Sequence, residues 1–301
     1  MSTVAEKNFE IKKLTSFKIG GRICEVFFPE NLSEFEQILS QNPSLPVFGN
    51  LSNTLISSDG YSGGIILATK MKNIAINGDT VIADAGVKGP KLSQEVCKFG
   101  LSGLEFMIGF PGSVGGEVCM NASANSQAIS DSLISVTAYV EGQGIVKFSK
   151  DEMNFSYRHS RCQDEKIIVL QAEFKLLKKA QEEIEQQMAQ NLTFRKEHQP
   201  SLALPNCGSI FKNPQGDSAG RLLDSIGAKN TICGGVKVWE NHANFIVNNN
   251  CGTSLDVLTL MFDLYSKVKE KYGIELEPEI RFLGGNNEKE VELCKILYKV
   301  K

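Results

Sequence analysis

The sequence predicts an α+β protein with more than one compact unit, and three observations point there. The chain has 301 residues, 42% hydrophobic and 22% charged, with 27 Gly and 9 Pro. That is the make-up of an ordinary globular protein, at a length that exceeds one typical domain. Apolar runs of strand length are interleaved with runs of helical period along the chain. The texture changes after Gln199-Pro200, which places a boundary within residues 178–199.

The elements follow in order. Arg22 to Phe28 reads as a short strand, and Asn31 or Ser33 then caps an amphipathic helix reaching about Ser40. Leu45 to Phe48, Gly64 to Ala68 and Thr80 to Ala85 read as strands, each ending at Gly, Ser or Asp. Pro90 to Phe99 reads as a helix with Gly100 as its left-handed stop. Ile134 to Val140 and Ile145 to Phe148 flank Glu141-Gly142-Gln143-Gly144, a hairpin pattern. Lys166 to Leu177 is a long strand-like run, followed by a charged helix from about Ala180 to Glu197. Beyond the boundary, helices near Ser218–Ile226 and Ser254–Tyr272 alternate with short strands at Gly235–Val238, Asn244–Val247 and Glu279–Leu283. Glu288 to Tyr298 carries Val291, Cys294, Leu297 and Tyr298 on one stripe, and reads either as a short amphipathic helix or as a fraying end.

Composition excludes several functions. Lys and Arg number 32 against 35 Asp and Glu, a formal net charge of −3, so nothing global draws the chain to nucleic acid or an anionic membrane. No stretch has the roughly 18 apolar residues of a spanning helix, and Met1 to Asn8 has no apolar signal core. The expectation is a cytoplasmic monomer without nucleic-acid or membrane partners. The eight cysteines form no C-x-x-C pair, which argues against zinc or cluster ligation and for small buried hydrophobes. Cys207 alone lies beside a motif described below. His159, His198 and His242 are the only histidines, so residues 1–158 hold no histidine-based site.

Two Gly-rich turns carry the first chemical signal. Phe48-Gly49-Asn50-Leu51-Ser52-Asn53 follows a strand, and Gly109-Phe110-Pro111-Gly112-Ser113-Val114-Gly115-Gly116 lies further on. Where side chains are missing, backbone N–H groups can converge on a pyrophosphate, and Ser or Asn adds donors. Neither loop is a Walker A loop, and neither is the Rossmann fingerprint, since the second reads G-x-x-G-x-x-G-G with no helical pattern directly behind it. One such loop is more often a plain tight turn; two in one α+β domain point to a dinucleotide.

Further motifs are collinear with these. They are Thr15-Ser16-Phe17-x-Ile19-Gly20-Gly21, Met120-Asn121-Ala122, Phe155-x-Tyr157-Arg158-x-Ser160, Gly208-Ser209-Ile210-Phe211-Lys212-Asn213-Pro214, His242-Ala243-Asn244-Phe245-Ile246-Val247-Asn248 and Leu276-x-Pro278-Glu279-Ile280-Arg281. From about residue 10 to 284 the ordered set resembles the UDP-N-acetylenolpyruvoylglucosamine reductase family. With 50 residues between Arg158 and Ser209, it is similar to the shorter, second type.

The resemblance implies a vanillyl-alcohol-oxidase (PCMH)-type FAD-binding fold of two α+β subdomains, 1–72 and 73–198. A C-terminal α+β substrate-binding domain, 199–284, and a tail, 285–301, would follow. It implies non-covalent FAD, NADPH as reductant, and a UDP-sugar enolpyruvyl ether as substrate, reduced to UDP-N-acetylmuramate for peptidoglycan. FAD contacts would fall on Gly49, Asn50, Leu51, Ser52, Asn53 and Thr54, and on Pro111, Gly112, Ser113, Gly115, Gly116 and Asn121.

The implied chemistry needs particular groups. Hydride addition at the terminal vinyl carbon leaves negative charge on the neighbouring carbon, delocalised into the carboxylate. Fixed positive charge and a proton donor are then required. Arg158 matches the family arginine, Ser209 the family proton donor, and Glu279 the carboxylate that completes the set. From spacing alone these would be a solvated arginine, a turn serine and a surface partner for Arg281. Tyr157 would pack at the flavin edge, Lys212 and Asn213 would contact substrate or form a solvated turn, and His242 reads as a hydrogen-bonding group. Leu51 departs from the family's glycine; if its φ is positive, about 1–3 kcal/mol of strain follows. Trp239-Glu240-Asn241 is a second departure. The competing readings are another FAD-dependent oxidase of this fold and a non-catalytic nucleotide-binding relative.

Overall fold

The computed structural model describes residues 4–201 and 203–299 and divides into two compact units. Unit 1 takes in residues up to 6, then 26–50 and 64–195; unit 2 takes in 7–25, 51–63 and 196 onward. The strands Arg22–Phe27 and Tyr61–Leu67 carry the chain from one unit into the other.

Unit 1 holds α1 (Leu32–Gln41), α2 (Gly89–Cys97), α3 (Val114–Cys119), α4 (Ile129–Ser132) and α5 (Gln181–His198) as far as residue 195. Its main sheet is antiparallel, in the order Gly144–Ser149, Leu133–Val140, Ile167–Lys175, Thr80–Asp84, Ile74–Asn77. The expected hairpin is there, with Gly142 at φ 80° and Gly144 at φ 76°, where a side chain would be strained. Asn31 caps α1, its Oδ1 accepting the Glu34 N–H at 3.0 Å. Val81, Ala83, Val136, Ala172 and Phe174 of the sheet share one core with Leu92 and Val96 of α2 and Val114 and Val118 of α3.

Several elements differ from expectation. A helix does open directly behind the second Gly-rich loop, namely α3, although Gly115 and Gly116 give it no apolar period. Its first N–H groups are satisfied by tertiary partners instead: Val114 N–H donates to Val87 O at 2.8 Å and Gly115 N–H to Ala85 O at 2.9 Å. The strand expected from Leu45 keeps only Val47–Phe48, because Pro46 has no N–H for a ladder. Ile74–Asn77 and Asn206–Ser209 are additional strands.

Unit 2 holds an antiparallel sheet in the order Asn206–Ser209, Phe245–Asn248, Val236–Val238, Ile232–Cys233. Thr54–Ile56 and Arg281–Leu283 form a separate parallel pair. Its helices are α6 (Ala219–Ser225), α7 (Ser254–Tyr272) and α8 (Glu288–Leu297). A Thr253/Asp256 capping box starts α7, and Gly273 at φ 68° stops it. Phe17, Leu55, Phe211, Val236 and Ile246 pack with Leu258, Met261 and Leu264 of α7. No helix among the described residues is long and apolar enough to cross a membrane.

The tail forms a helix rather than a frayed end. Leu297 is buried in this core, with Leu293, Cys294 and Tyr298 packed against it. Glu290 is also buried: Ser57 Oγ donates to one carboxylate oxygen at 2.7 Å, and Ser254 Oγ donates to the other. Tyr298 Oη donates to Ile280 O at 3.0 Å. Glu290→Ala leaves two buried hydroxyls without their acceptor, so it is expected to lower unfolding stability by about 1–3 kcal/mol. Urea denaturation of the two proteins checks this, and the surface change Glu292→Ala should stay within about 0.5 kcal/mol.

Candidate active site

In unit 1 the second Gly-rich loop is clamped onto residues 84–89. Besides the two bonds at the start of α3, Gly89 N–H donates to Gly112 O at 3.3 Å, and Lys88 bridges Ser113. The clamp leaves no space for side chains. A Cβ on Gly115 would lie 2.8 Å from Ala85 Cβ, and one on Gly86 would lie 1.9 Å from Ala68 O. Gly49 approaches from the first loop, where a Cβ would lie 2.0 Å from Ser113 Oγ. Asn50 Nδ2 donates to Pro111 O at 2.5 Å. Gly116 stays exposed beside them.

Two buried polar side chains of this cradle have no hydrogen-bond partner among the described residues. They are Ser113, through Oγ, and Glu117, through both carboxylate oxygens. Glu117 is 5% exposed and lies against Gly89 and Gly112. Burial pushes its carboxyl up to about 8, because a low-dielectric surround penalises the charged form. A lone Glu in a Gly-rich stretch reads as solvated, so no sequence signal singled it out.

Arg158 sits in a tight turn closed by Ser156 and His159, which bond each other's backbone at 3.1 and 3.2 Å. Its φ is 54°, a left-handed conformation costing a non-glycine residue about 1–2 kcal/mol. The turn is tied to the end of α3: Ser160 Oγ and Gln163 Nε2 both donate to Cys119 O, and Gln163 Nε2 also donates to Arg158 O at 2.9 Å. Asn121 Nδ2 donates to Ser156 O at 2.9 Å. The Arg158 guanidinium donates to Ser123 Oγ at 2.7 Å and lies 5.4 Å from the ring centre of the exposed Tyr157.

Unit 2 carries Ser209, Lys212, Asn213, His242 and Glu279, and it brings Ser209 and Glu279 onto paired segments. Glu279 N–H donates to Ile210 O and Lys212 N–H to Glu277 O, both at 2.8 Å. Ser209 follows a bulge, because Asn206 pairs with Val247 while Ser209 pairs with Phe245. Gly208 supplies the left-handed residue at φ 82°, its N–H held by Asn206 Oδ1 at 3.0 Å. Bulges of this kind re-aim a side chain out of the ladder. Asn244 pins Phe211, two residues after Ser209, from both sides, accepting from Phe211 N–H and donating to Phe211 O. Asn53 joins the first loop to this segment by donating to Glu279 O at 3.0 Å and accepting from Arg281 N–H at 3.0 Å. Ser52 O accepts from Ser16 Oγ, and Thr54 pairs with Arg281.

Lys212 Nζ pairs with Glu277 at 2.5 Å, and Asn213 Oδ1 accepts the Ala219 N–H at 3.0 Å at the start of α6. His242 Nδ1 accepts the Asn244 N–H at 3.1 Å, which places the ring proton on Nε2. Burial lowers its pKa and keeps it neutral. Cys207 is fully buried, and burial pushes its thiol up, so it stays a small hydrophobe. Leu51 has φ 51° and is buried, so the first loop does take the left-handed conformation that leucine disfavours.

The glycine cradle with its orphaned hydroxyl and carboxyl fits the phosphates of a dinucleotide, and residues 26–149 match a family profile described as FAD binding domain. The chain is an FAD-dependent oxidoreductase. Residues 199–283 match the profile of the UDP-N-acetylenolpyruvoylglucosamine reductase C-terminal domain. The UDP-N-acetylenolpyruvoylglucosamine reductase of Caldicellulosiruptor saccharolyticus is 37% identical over 283 residues, spanning 92% of this chain and 91% of that protein. The Latilactobacillus sakei protein of the same name is 39% identical, spanning 93% of this chain and 94% of that one. The crystal structure of the Thermus caldophilus reductase superposes with a TM-score of 0.81 at 33% identity, covering 93% of this chain and 99% of that one. The chain belongs to the UDP-N-acetylenolpyruvoylglucosamine reductase family.

Two outcomes follow from these geometries. Leu51→Gly relieves about 1–2 kcal/mol of backbone strain but deletes a buried side chain worth about 2–5 kcal/mol. The net expected in urea denaturation is a loss of about 1–3 kcal/mol. Glu117 has a folded pKa above its unfolded value, so the stability it contributes is present below about pH 4.5 and lost as pH rises toward about 8. Glu117→Gln is therefore expected to exceed wild type in unfolding stability at pH 8, by a few kcal/mol, and to match it at pH 4.

Proposed function

We propose that this chain reduces the enolpyruvyl ether of UDP-N-acetylglucosamine to the lactyl ether of UDP-N-acetylmuramate, a peptidoglycan precursor, with NADPH as the electron source. The match to reductases of that name across 92% of the chain carries the reading, and the left-handed Arg158 supports it, since strained non-glycine residues collect at functional sites. The Gly49–Thr54 and Pro111–Gly116 loops would hold FAD, with Ser113 Oγ and backbone N–H groups on its phosphates and Asn121 fixing the adjoining turn. Bound FAD supplies the hydride that the substrate takes up at its terminal vinyl carbon.

The remaining work falls to side chains. Arg158 offers a planar, permanently charged fork to the substrate carboxylate as that group gains charge. Ser209, aimed by the Gly208 bulge, gives its hydroxyl proton to the carbon beside the carboxylate, and the resulting C–H completes the lactyl ether. Glu279, one residue across the pairing from Ser209, completes the polar set at that carbon. Residues 199–284 would bind the sugar nucleotide, with Lys212 and Asn213 toward its anionic groups. His242 would serve as a neutral Nε2–H donor, and Tyr157 would sit at the flavin edge. A protein with this activity works as a soluble cytoplasmic enzyme and needs no second chain.

The reaction divides into flavin reduction and substrate reduction, which separates the roles. Arg158→Ala and Ser209→Ala should each slow substrate reduction by roughly 100- to 10,000-fold while NADPH reduces the flavin at near the wild-type rate. Stopped-flow absorbance with NADPH, then with the enolpyruvyl sugar nucleotide, reads both steps. Failure of that compound to reoxidise the wild-type flavin would overturn the function, and normal reoxidation in Ser209→Ala would remove Ser209 as the donor.

A further inference from the structure

Glu117 is a buried titratable group of the cradle to which the reaction gives no task and, unlike Asp84, it has no hydrogen-bond partner among the described residues. Both of its carboxylate oxygens are unpaired among those residues, it is 5% exposed, and it lies against two glycines. A Cβ on Gly89 would be 2.6 Å from Glu117 Oε1, and one on Gly112 would be 2.8 Å from the same atom. The space that keeps this carboxyl in place therefore exists because Gly89 and Gly112 lack side chains. Ser113, the other orphaned group, lies one helical turn earlier, and its backbone O accepts the Glu117 N–H at 2.9 Å. A buried polar group without a partner is costly unless something absent from the free chain supplies one.

The charge of the expected ligand decides the protonation state. An ionised carboxylate beside a pyrophosphate in a site of low dielectric would place like charges together, whereas a neutral carboxyl has one O–H to donate. We propose that Glu117 is an FAD-binding residue that works as a protonated carboxyl, donating a hydrogen bond to a phosphoryl oxygen of the cofactor. This rests on the reading that the 109–116 loop holds the FAD phosphates. FAD affinity then falls when the proton is lost.

Other charged groups near α3 are committed elsewhere. On the strands packed against it, Asp84 accepts from Asn73 N–H and Gln171, Glu173 accepts from Ser135 and Lys147, and Lys175 pairs with Asp79. Asp131 of α4 accepts from Ala128 N–H, and Arg161 pairs with Glu165. On α2, Lys91 and Glu95 pair with each other, while Lys88 before it is exposed. Burial is the cause that raises the Glu117 carboxyl, to about 8.

The test is FAD release from diluted holoenzyme, read as the rise in flavin fluorescence, between pH 6 and 9.5. For wild type the FAD Kd is expected to be flat to pH 7 and to rise about thirtyfold by pH 9.5, the linkage for one proton retained on binding. Glu117→Gln keeps a donor and cannot ionise, so its Kd should stay flat. Glu117→Ala should bind FAD about tenfold more weakly at pH 7. Ser113→Ala should weaken FAD while keeping the wild-type pH dependence, and together with wild type it tests the titration without altering Glu117. A Kd that rises in parallel in wild type and Glu117→Gln, or one that is flat in wild type, overturns the proposal. If Ser113→Ala weakens FAD and neither Glu117 variant does, the loop reading stands and the Glu117 inference falls. If none of the three variants changes FAD affinity, both fall.

Discussion

The rest of unit 1 depends on how closely two stretches of bare backbone approach each other. Residues 109–116 lie on residues 84–89 through main-chain bonds from Val114, Gly115 and Gly89, at separations that admit no side chain at Gly86 or Gly115. That contact sets where α3 begins. The far end of α3 then presents Cys119 O to Ser160 and Gln163, and these hold the turn that carries Arg158. A loop that reads as a phosphate cradle and an arginine some forty residues later are thus tied together through a helix of six residues.

Left-handed backbone recurs at two residues of the proposed site. Arg158 and Leu51 both take left-handed backbone without being glycine, and each conformation costs about 1–2 kcal/mol. The cost is offset by the packing of the scaffold around them. At the bulge before Ser209 the left-handed residue is a glycine, Gly208, which bears that conformation without strain.

How much was legible depended on whether the controlling interaction was local. Helix α7 agrees with its sequence reading from Ser254 to Tyr272, because Thr253, Asp256 and Gly273 mark its ends within a few residues. Asn31 and Gly100 likewise announced their helices. Helix α3 was missed because its first N–H groups are satisfied by Val87 and Ala85, about thirty residues away in sequence, and its glycines give no period. The strand Asn206–Ser209 was missed because Asn-Cys-Gly-Ser has no strand alternation and pairs with residues 245–248. The motifs singled out Arg158, Ser209 and Glu279 as candidates but gave no hint of the bulge that precedes Ser209. Glu117 was invisible because its character comes from burial in the fold, against Gly112 and the sequence-distant Gly89, while glutamate by itself reads as surface.

The tail changes what counts as the end of the functional unit. The family profile stops at residue 283, yet α8 caps the core of unit 2, holds Ser57 and Ser254 through Glu290, and through Tyr298 grips the carbonyl of the residue that follows Glu279. A chain trimmed to the profile boundary would uncover apolar surface on α7 and release one side of the segment carrying the carboxylate. For this protein, then, a proteolytic nick within Glu288–Leu297 acts as a core mutation rather than as the loss of a loose end.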